Sequence, residues 1–376
     1  MRYRLSLTLC LPFLFLAPLR AQLPSWAIGP FTRPVNAPIL RPNAQTLFDD
    51  PILGHPVRWQ ALHTFNPAAI VRHGKVYVLY RAEDDSGSMQ IGMHTSRLGL
   101  AVSSDGLHFR SLPTPIFYPA PDAQQSREWP GGVEDPRIVQ APDGRYILTY
   151  TQWNRETYTI GVAVSRDLEH WTKYGPALGV SGPYAHLMYK SGGILTRLHR
   201  GHLVAARLHG RFWMYWGEIE IRLASSTDLI HWTPVESEPS KTPGHALVLL
   251  HDRAGHFDSG FPEVGPPPLL TRQGIVLLYN GKNGSGATSD TALDPGASSV
   301  GEALFSASDP AHLQARIDQP VFFPQQPWER SGQYAAGTTF AEGLVRFHHR
   351  WFLYYGCADS FVSVATAPLR ASSSHP

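Results

Sequence analysis

Cysteine is almost absent from this chain, with 2 residues among 376. Cys10 lies in an apolar stretch near the N-terminus. If that stretch is removed, Cys357 is the single remaining thiol and an internal disulfide is excluded. Charge is also scarce: Asp, Glu, Lys and Arg make up 16% of the residues, the formal net charge is +2, and no basic run occurs. Because nucleic-acid binding needs clustered Lys and Arg, we expect no nucleic-acid partner.

Motifs of nucleotide, cofactor and metal chemistry are missing as well. The sequence contains no Walker motif, no dinucleotide-binding glycine fingerprint and no His-Glu-x-x-His pair. The glycine-rich stretch Gly281–Gly286 lacks the spacing of a phosphate-binding loop and predicts a turn. We therefore expect an activity that needs neither a metal ion nor an organic cofactor.

The N-terminus carries the pattern of a secretory signal. Arg2 and Arg4 precede a mostly apolar run from Leu5 to Ala17, and Ala21 offers a small residue for cleavage. The run is too short to span a bilayer as a helix. We predict a signal peptide over residues 1–21, a periplasmic or secreted protein, and no membrane attachment after cleavage. A short uncleaved anchor is the alternative.

Turn-forming and aromatic residues are abundant, with 33 Gly, 33 Pro and 11% aromatic residues. This composition favours short strands joined by tight loops. One element of aromatic and aliphatic residues recurs along the chain, at Val76–Tyr80, Tyr146–Tyr150, Phe212–Trp216, Ile275–Tyr279 and Trp351–Tyr355. Five repeats of three or four strands predict an all-β fold, a five-bladed β-propeller that occupies residues 22–376 as a single domain.

A second element, Asp-x-x-His, follows the first four aromatic repeats. It occurs at Asp105–His108, Asp167–His170, Asp228–His231 and Asp309–His312. An Asp at such a position accepts hydrogen bonds from the backbone of its own turn, so we expect these His residues to be structural rather than ligands. Residues 22–60 are rich in proline and are expected to wrap around the outside. Phe361–Ala367 is expected to supply a closing strand.

Polar residues recur at the start of the first strand of each repeat and after each aromatic strand. The first set is Asn66, Asp135, Lys190, Glu263 and Glu342, and the second set is Arg81, Asn154, Glu218, Lys282 and Asp359. In a propeller the first strands surround the axis, so these side chains are predicted to gather at one funnel. A salt-bridged hub that holds the blades together is the alternative. Aromatic residues in the same loops favour a sugar site, namely Trp129, Trp153, Tyr184, Trp216 and Tyr334.

Cleavage of a glycosidic bond requires two carboxyl functions, one to protonate the leaving oxygen and one to activate water or to attack. The repeats place Asp135, Glu218 and Glu263 on three neighbouring blades. This distribution makes a glycosidase the favoured class of enzyme.

Several of these residues lie in motifs that resemble glycoside hydrolase family 130, the β-mannoside phosphorylases and mannosidases. The resemblance extends from about residue 27 to 368. It rests on Phe65–Ala69, Tyr80–Asp84, Ser96–Ala101, Gly132–Arg137 (Gly-Val-Glu-Asp-Pro-Arg), Tyr215–Glu218 and Tyr354–Asp359.

The resemblance implies a five-bladed propeller and gives Asp135 the role of general acid, with its proton passed through a sugar hydroxyl. Family members attack with either phosphate or water. The members that use water are similar to this sequence in having one Glu after Tyr-Trp-Gly and another before Gly-Pro-Pro, here Glu218 and Glu263. Two carboxylates at these positions repel phosphate and can deprotonate water, which implies inversion.

We therefore expect an exported inverting glycosidase that acts on a β-mannoside oligosaccharide or glycan, with Asp135, Glu218 and Glu263 as catalytic residues. The predicted substrate-binding residues are Asn66, Arg81, Arg137, Asn154, Lys190 and Asp359. One alternative is a phosphorylase that uses inorganic phosphate as co-substrate and releases mannose 1-phosphate. Another is a sugar-binding propeller without catalysis. The sequence leaves the linkage and the oligomeric state open.

Overall fold

The computed structural model describes residues 23–88, 90–237 and 244–369. In this part of the chain, regular structure is almost entirely β-strand. Helix is limited to α1 (Gln125–Glu128) and two 3-10 turns, Gly286–Thr288 and Pro327–Glu329. The predicted signal peptide, residues 1–21, lies outside the described residues. Among the described residues, no helix has the length and apolar character needed to cross a membrane.

Antiparallel pairing groups the strands into units that follow one another along the chain. A short ribbon of β1 (Phe48–Asp50) and β2 (His55–Val57) comes first. The first unit contains β3 (His63–Arg72), β4 (Lys75–Glu83), β5 (Ser96–Ser103) and β6 (Arg110–Ser111). The second unit contains β7 (Gly132–Gln140), β8 (Tyr146–Trp153), β9 (Tyr158–Ser165) and β10 (Trp171–Pro176).

The third unit has more and shorter strands than the others, and β12 and β13 form a hairpin inserted into it. The strands are β11 (Gly192–Ile194), β12 (Thr196–His199), β13 (His202–Ala205), β14 (Arg207–Leu208), β15 (Arg211–Trp216), β16 (Ile221–Ser226), β17 (Thr233–Pro234) and β18 (Val248–Leu250). The sheet is built on β15 and β16. The inserted hairpin, β12 and β13, also pairs in parallel with β7 of the second unit.

The fourth and fifth units complete the chain. The fourth contains β19 (Phe261–Val264), β20 (Leu269–Thr271), β21 (Gly274–Lys282), β22 (Ser298–Phe305) and β23 (Leu313–Arg316). The fifth contains β24 (Thr339–Phe347), β25 (Arg350–Cys357) and β26 (Phe361–Pro368). The chain between β19 and β20 includes Pro266, Pro267 and Pro268, which cannot donate to a strand ladder, and both strands pair with β21.

All five aromatic repeats fall in strands β4, β8, β15, β21 and β25. Each of these strands lies in the middle of its unit, hydrogen-bonded on both sides. Most of their residues are buried, because both faces of the sheet pack on neighbouring units. The continuous apolar repeat in the sequence is thus the central strand of each unit.

Among the described residues the hydrophobic core consists of five clusters, and each cluster is shared by two units. Four of them join the first to the second, the second to the third, the third to the fourth and the fourth to the fifth unit. The remaining cluster, which includes Val78 and Tyr354, joins the fifth unit back to the first. The units therefore close into a ring. The all-β, propeller-like fold is confirmed, and the assignment of one blade to each repeat remains a prediction.

The N-terminal segment completes the last unit. Thr32 and Leu40 form isolated bridges with Thr366 and Val362 on β26. Arg33 forms an ion pair with the buried Glu329 at 2.6 Å. The predicted wrapping of this segment is thus observed on β26, whose outer edge it covers.

The Asp-x-x-His elements form turns at the surface. In Asp105–His108, Asp167–His170 and Asp228–His231 the Asp Oδ1 accepts the backbone amide of the His, and the His Nδ1 lies 2.7–2.8 Å from Asp Oδ2. In Asp309–His312 the amide of the His donates to the backbone carbonyl of the Asp. These His residues stabilise turns, as expected.

Candidate active site

A cavity of about 350 Å³ lies where the polar ends of the units meet. Its wall includes the predicted residues Asn66, Arg81, Asp135, Lys190, Glu218, Glu263 and Asp359. These residues come from all five units, so the ring of units assembles the site.

Local bulges turn two of these side chains toward the cavity. The pairing of β3 with β4 shifts register between Phe65 and Pro67, which leaves Asn66 with a φ of 46°. The pairing of β7 with β8 shifts in the same way around Asp135, whose φ is also 46°. Each residue precedes a proline, which supplies no amide to the ladder. An extra residue in one strand re-aims its side chain, and here it brings Asn66 and Asp135 together.

Asp135 is held by donors from three directions. Asn66 Nδ2 donates to its Oδ1 at 2.8 Å, Arg81 Nη1 lies 3.1 Å from the same oxygen, and Lys190 Nζ lies 3.9 Å from Oδ2. Burial acts to raise the pKa of Asp135, but Arg81, Lys190 and Arg137 outweigh it and lower the pKa to about 2. Asp135 is consequently ionised at neutral pH in the unliganded site.

Arg81 is surrounded by carboxylates. Its Nη2 lies 2.7 Å from Glu83 and 2.7 Å from Glu134, in addition to the Asp135 contact. Burial raises the pKa of Glu134 to about 7 even though Arg81 opposes the shift. Burial likewise raises the pKa of Asp359 to about 7 against the effect of Arg81. The charge of Arg81 is therefore fully engaged within the protein.

Glu218 and Glu263 form a second acidic pair on the cavity wall. Their backbones make an isolated antiparallel bridge, which holds the two residues side by side. Lys190 Nζ lies 3.3 Å from Glu218 Oε2 and 3.7 Å from Glu263 Oε1. Ser191 donates to Glu263 Oε1 at 2.5 Å. Burial raises the pKa of Glu263, Lys190 opposes this shift, and Glu218 adds to it.

Tyr158 supports the acidic pair from β9. Its hydroxyl is hydrogen-bonded to Glu218, and burial together with this carboxylate raises the pKa of Tyr158 to about 12. The phenol thus keeps its proton at neutral pH and donates to Glu218. No repeat in the sequence predicted this residue, because the bond joins two units through side chains alone.

Aromatic rings form much of the remaining wall. They are Phe65, Trp153, Tyr158, Phe261, Tyr334 and Phe340. Trp153 and Tyr334 were expected at the site. The wall formed by the described residues does not include Trp129, Tyr184 or Trp216. Tyr184 and Trp216 are buried and pack edge to face in the core. The rings that do line the cavity provide flat apolar surfaces beside carboxylates, which suits a sugar.

Arg137 was predicted to hold substrate, and the structure corrects this. The guanidinium is buried and donates to the carbonyl oxygens of Asp135, Val264 and Gly265 at 3.0, 2.6 and 3.2 Å. Its Nη1 also lies 3.0 Å from Glu342, although without hydrogen-bond geometry. Arg137 therefore ties β7 to the end of β19 behind the cavity wall. For Arg137 the alternative interpretation, a polar hub that holds the blades together, fits better than contact with a sugar.

Asn154 is the second predicted substrate ligand that the structure places elsewhere. Its Oδ1 accepts the backbone amides of Glu156 and Thr157, and its Nδ2 donates to the carbonyl oxygen of Ser126. Asn side chains bond to their own turns in this way, so the residue stabilises the turn after β8. The cavity wall of the described residues does not include it.

Comparison with known proteins identifies the family. Residues 31–371 match the model of glycoside hydrolase family 130, described as beta-1,4-mannooligosaccharide phosphorylase. The chain belongs to this family. The resemblance inferred from the motifs is confirmed, and with it the prediction of an enzyme that acts on β-mannosidic linkages by phosphorolysis or hydrolysis.

The relatives include both kinds of enzyme. A 1,2-beta-oligomannan phosphorylase from Thermoanaerobacter sp. is 28% identical over 337 residues, which cover 89% of this chain and 95% of that protein. The structure of a putative glycosidase from Bacteroides thetaiotaomicron is 48% identical with a TM-score of 0.89, and the match covers 92% of this chain and 99% of that chain.

A further solved structure is 46% identical with a TM-score of 0.89 over 94% of this chain and 98% of that chain. It is described with the statement that the family of mannoside phosphorylases contains glycoside hydrolases that target beta-1,2 mannosidic linkages in Candida mannan.

Proposed function

We propose that this protein is an exported β-mannosidase that inverts the anomeric centre by direct attack of water. The observation that carries the proposal is the pair of carboxylates, Glu218 and Glu263, held side by side and joined to Asp135 by the ammonium of Lys190. Hydrolysis with inversion requires a base that activates water on one side and an acid on the other. Asp135, Glu218 and Glu263 all lie on the wall of one cavity, which supports these roles.

The charges of the site favour water over phosphate as the attacking group. The acidic groups of the cavity wall include Glu83, Glu134, Asp135, Glu218, Glu263 and Asp359. Among the cations of the wall, Arg81 and Lys190 each contact three carboxylates, and Lys282 lies over two aromatic rings. A phosphate dianion placed beside Glu218 and Glu263 meets like charge, and its attraction to Arg81 and Lys190 is already offset.

In the proposed mechanism Glu218 and Glu263 orient the attacking water and accept its proton. Asp135 supplies the proton that leaves with the aglycone. Because the pKa of Asp135 is about 2 in the free site, the carboxylate must gain a proton in the productive complex. The carboxylate takes this proton from solvent. In the relay that the family resemblance implies, Asp135 then donates it to a sugar hydroxyl, whose own proton passes to the departing oxygen.

The remaining cavity residues hold the sugar. Asn66 and Arg81 fix the orientation of Asp135, while Asp359 offers a hydrogen-bonding carboxyl group. The rings of Phe65, Trp153 and the other aromatic residues of the cavity wall can stack on the apolar faces of sugar rings. No metal ion or organic cofactor is assigned a role.

We take β-1,2-linked mannosides as the first substrates to test, on the basis of the two classes of relative. One relative is named a 1,2-beta-oligomannan phosphorylase, and a more similar structure is described in terms of hydrolases of beta-1,2 mannosidic linkages. Phosphorolysis is the second candidate, because the curated relatives are named as phosphorylases.

Product analysis separates the two candidates. We expect free mannose from β-1,2-mannobiose at equal rates with and without phosphate. Mannose 1-phosphate that forms only with phosphate contradicts hydrolysis and reassigns Arg81 or Lys190 to the anion. Binding without any product contradicts both candidates and leaves a sugar-binding protein.

Export rests on the N-terminal pattern of the sequence. Expression of the full chain with fractionation tests it, and N-terminal sequencing of the mature protein locates the cleavage site. We expect the activity outside the cytoplasm and a mature N-terminus close to Gln22. Full-length protein in the cytoplasm contradicts export without affecting the chemistry proposed for the site.

A further inference from the structure

Lys190 occupies a position between the three predicted catalytic carboxylates. Its Nζ lies 3.3 Å from Glu218, 3.7 Å from Glu263 and 3.9 Å from Asp135. These acids follow or belong to strands of three different units, β15, β19 and β7. One ammonium group therefore contacts both the proposed acid and the proposed water-activating pair.

The backbone around Lys190 fixes this position. The amide of Gly217, next to Glu218, donates to the carbonyl oxygens of Lys190 and Ser191 at 3.0 Å each. The Ser191 hydroxyl donates to Glu263. Ser191 has a φ of 62°, in the left-handed region that a β-carbon disfavours. The segment is thus bound to both members of the acidic pair before any substrate arrives.

Lys190 is engaged by anions to a degree that leaves little attraction for a further ligand. Burial works against its charge, but Glu263, Glu218, Asp135 and Glu134 hold its pKa well above the ordinary value, so it remains protonated. Its side chain is 25% exposed. A cation in this state stabilises neighbouring anions, and its role differs from that of a free lysine that captures phosphate or a hydroxyl.

The effect on Glu263 shows what this cation does. Burial raises the pKa of Glu263, Lys190 is the largest opposing influence, and Glu218 adds to the rise as a like charge. Two neighbouring carboxylates cannot both stay ionised without compensation. If Lys190 is removed, the pKa of Glu263 loses its largest opposing influence and rises further, so the pair accepts a proton from water less readily.

We propose that Lys190 is a positioning residue for catalysis, which keeps Glu218 and Glu263 ionised side by side so that they can activate water. It is then not a ligand of the sugar, as the sequence predicted, nor of phosphate. This inference rests on the proposed hydrolytic function and deepens it. The ability of Glu218 and Glu263 to accept a proton then depends on Lys190, a residue outside the pair.

Other titratable groups face Lys190 and enter any pH-dependent test. They are Glu134 and Asp135 on β7, Tyr158 on β9, Glu218 after β15, Glu263 on β19, Tyr334, Glu342 on β24 and Asp359 after β25. The nearby cations Arg81 and Arg137 act on the same acids. The acidic limb of the kcat–pH profile includes the ionisation of the proton-accepting pair, because the pair must be ionised for turnover.

The test compares Lys190→Met with a chemically restored variant. We expect Lys190→Met to lower kcat by roughly 10²-fold or more with little change in KM, since proton transfer is impaired while sugar contacts remain. The acidic limb of its kcat–pH profile is expected to move to higher pH by roughly 1 unit or more. Thermal unfolding of each variant confirms that the fold is retained.

Restoration uses Lys190→Cys, alkylated to an S-aminoethyl side chain that carries an ammonium at nearly the same reach. Cys357 is buried and thus protected from the reagent. Alkylation is expected to return the acidic limb toward that of the wild type. Lys282→Met is the matched control, because Lys282 also lines the cavity but lies over the rings of Phe261 and Tyr334. The acidic limb of the kcat–pH profile of Lys282→Met is expected to match that of the wild type.

The outcomes separate this inference from the function on which it rests. If wild-type enzyme releases mannose without phosphate while Lys190→Met raises only KM, hydrolysis stands and the positioning role is wrong. If wild-type turnover requires phosphate and the variant raises the KM for phosphate, both proposals fail. A loss of kcat that alkylation does not restore, with an unmoved acidic limb, also overturns the positioning role.

Discussion

Glu218 and Glu263 meet as backbone partners in an isolated antiparallel bridge, although they belong to different units of the ring. A bridge of this kind fixes two side chains near each other without a continuous strand ladder. The like charges that it brings together are stabilised by Lys190 and by donors from Ser191 and Tyr158.

Replacement of either member of the acidic pair should impair chemistry more than binding. Glu218→Gln and Glu263→Gln are each expected to lower kcat by roughly 10²- to 10⁴-fold with a smaller change in KM, because the amide cannot accept the proton of water. Steady-state kinetics on a β-mannobiose measure both constants. Glu220→Gln is the control, since Glu220 lies in the same turn but pairs with Arg222. Wild-type kcat in Glu218→Gln and Glu263→Gln contradicts the assignment.

Loss of the acid should depend on the leaving group. Asp135→Asn is expected to lower kcat/KM for a mannobiose by roughly 10²- to 10⁴-fold, because an amide cannot protonate the departing oxygen. An aryl β-mannoside with an acidic phenol needs little protonation, so the same variant should retain far more of its activity on it. Kinetics on both substrates give the ratio. Equal losses on the two substrates argue against Asp135 as the proton donor.

Arg137 should matter for stability through its bonds to strand carbonyls. Arg137→Met is expected to lower the free energy of unfolding by roughly 3 kcal/mol or more, since buried carbonyl oxygens of Val264 and Gly265 lose a charged donor. Urea unfolding measures this change. The surface pair of Arg145 with Asp143 provides the control, and Arg145→Met should cost less than about 1 kcal/mol. A stable Arg137→Met with a raised KM alone supports the sequence prediction instead.

The acids around Arg81 should make stability depend on pH. Glu134 and Asp359 have pKa values raised to about 7 from 4.5 and 3.8, so their contribution is complete below the ordinary values and is lost as pH rises through about 7. Asp135 acts in the opposite sense: its pKa is lowered to about 2, so its contribution is present above its ordinary value of 3.8 and is lost as pH falls through about 2.

The melting temperature of the wild type is therefore expected to fall between about pH 5 and about pH 8 relative to that of the double variant Glu134→Gln, Asp359→Asn, which lacks both acids. Thermal unfolding across this pH range measures the slope of melting temperature against pH for the wild type and for the double variant. Glu169→Gln, at an exposed site, serves as the control and should keep the wild-type slope. Identical slopes for wild type and double variant show that the two pKa values are not raised.

The repeats in the sequence predicted the central strands and much of the site. Asn66, Asp135 and Glu263 follow from the unit pattern, because each stands at the inner strand of its unit where the ring converges. The family motifs added the roles proposed for Asp135, Glu218 and Glu263. The wrapping segment and the structural His residues of the Asp-x-x-His turns were also predictable from local composition.

Other features depend on contacts between units that no single stretch of sequence encodes. Arg137 stands two residues after Asp135, yet its guanidinium binds carbonyl oxygens of another unit. The bond from Tyr158 to Glu218 and the pairing of Glu134 with Arg81 are likewise long-range. Asn154 is different, because the spacing Asn-x-x-Thr already contained the signal of a side chain that stabilises its own turn.

The anomer that forms first in phosphate-free buffer tests the central claim most directly. Proton NMR of β-1,2-mannobiose hydrolysis, recorded before mutarotation, distinguishes the two anomers of the released mannose. Direct attack of water activated by Glu218 and Glu263 predicts α-mannose as the initial product. Initial β-mannose, or no free mannose until phosphate is added, contradicts the account.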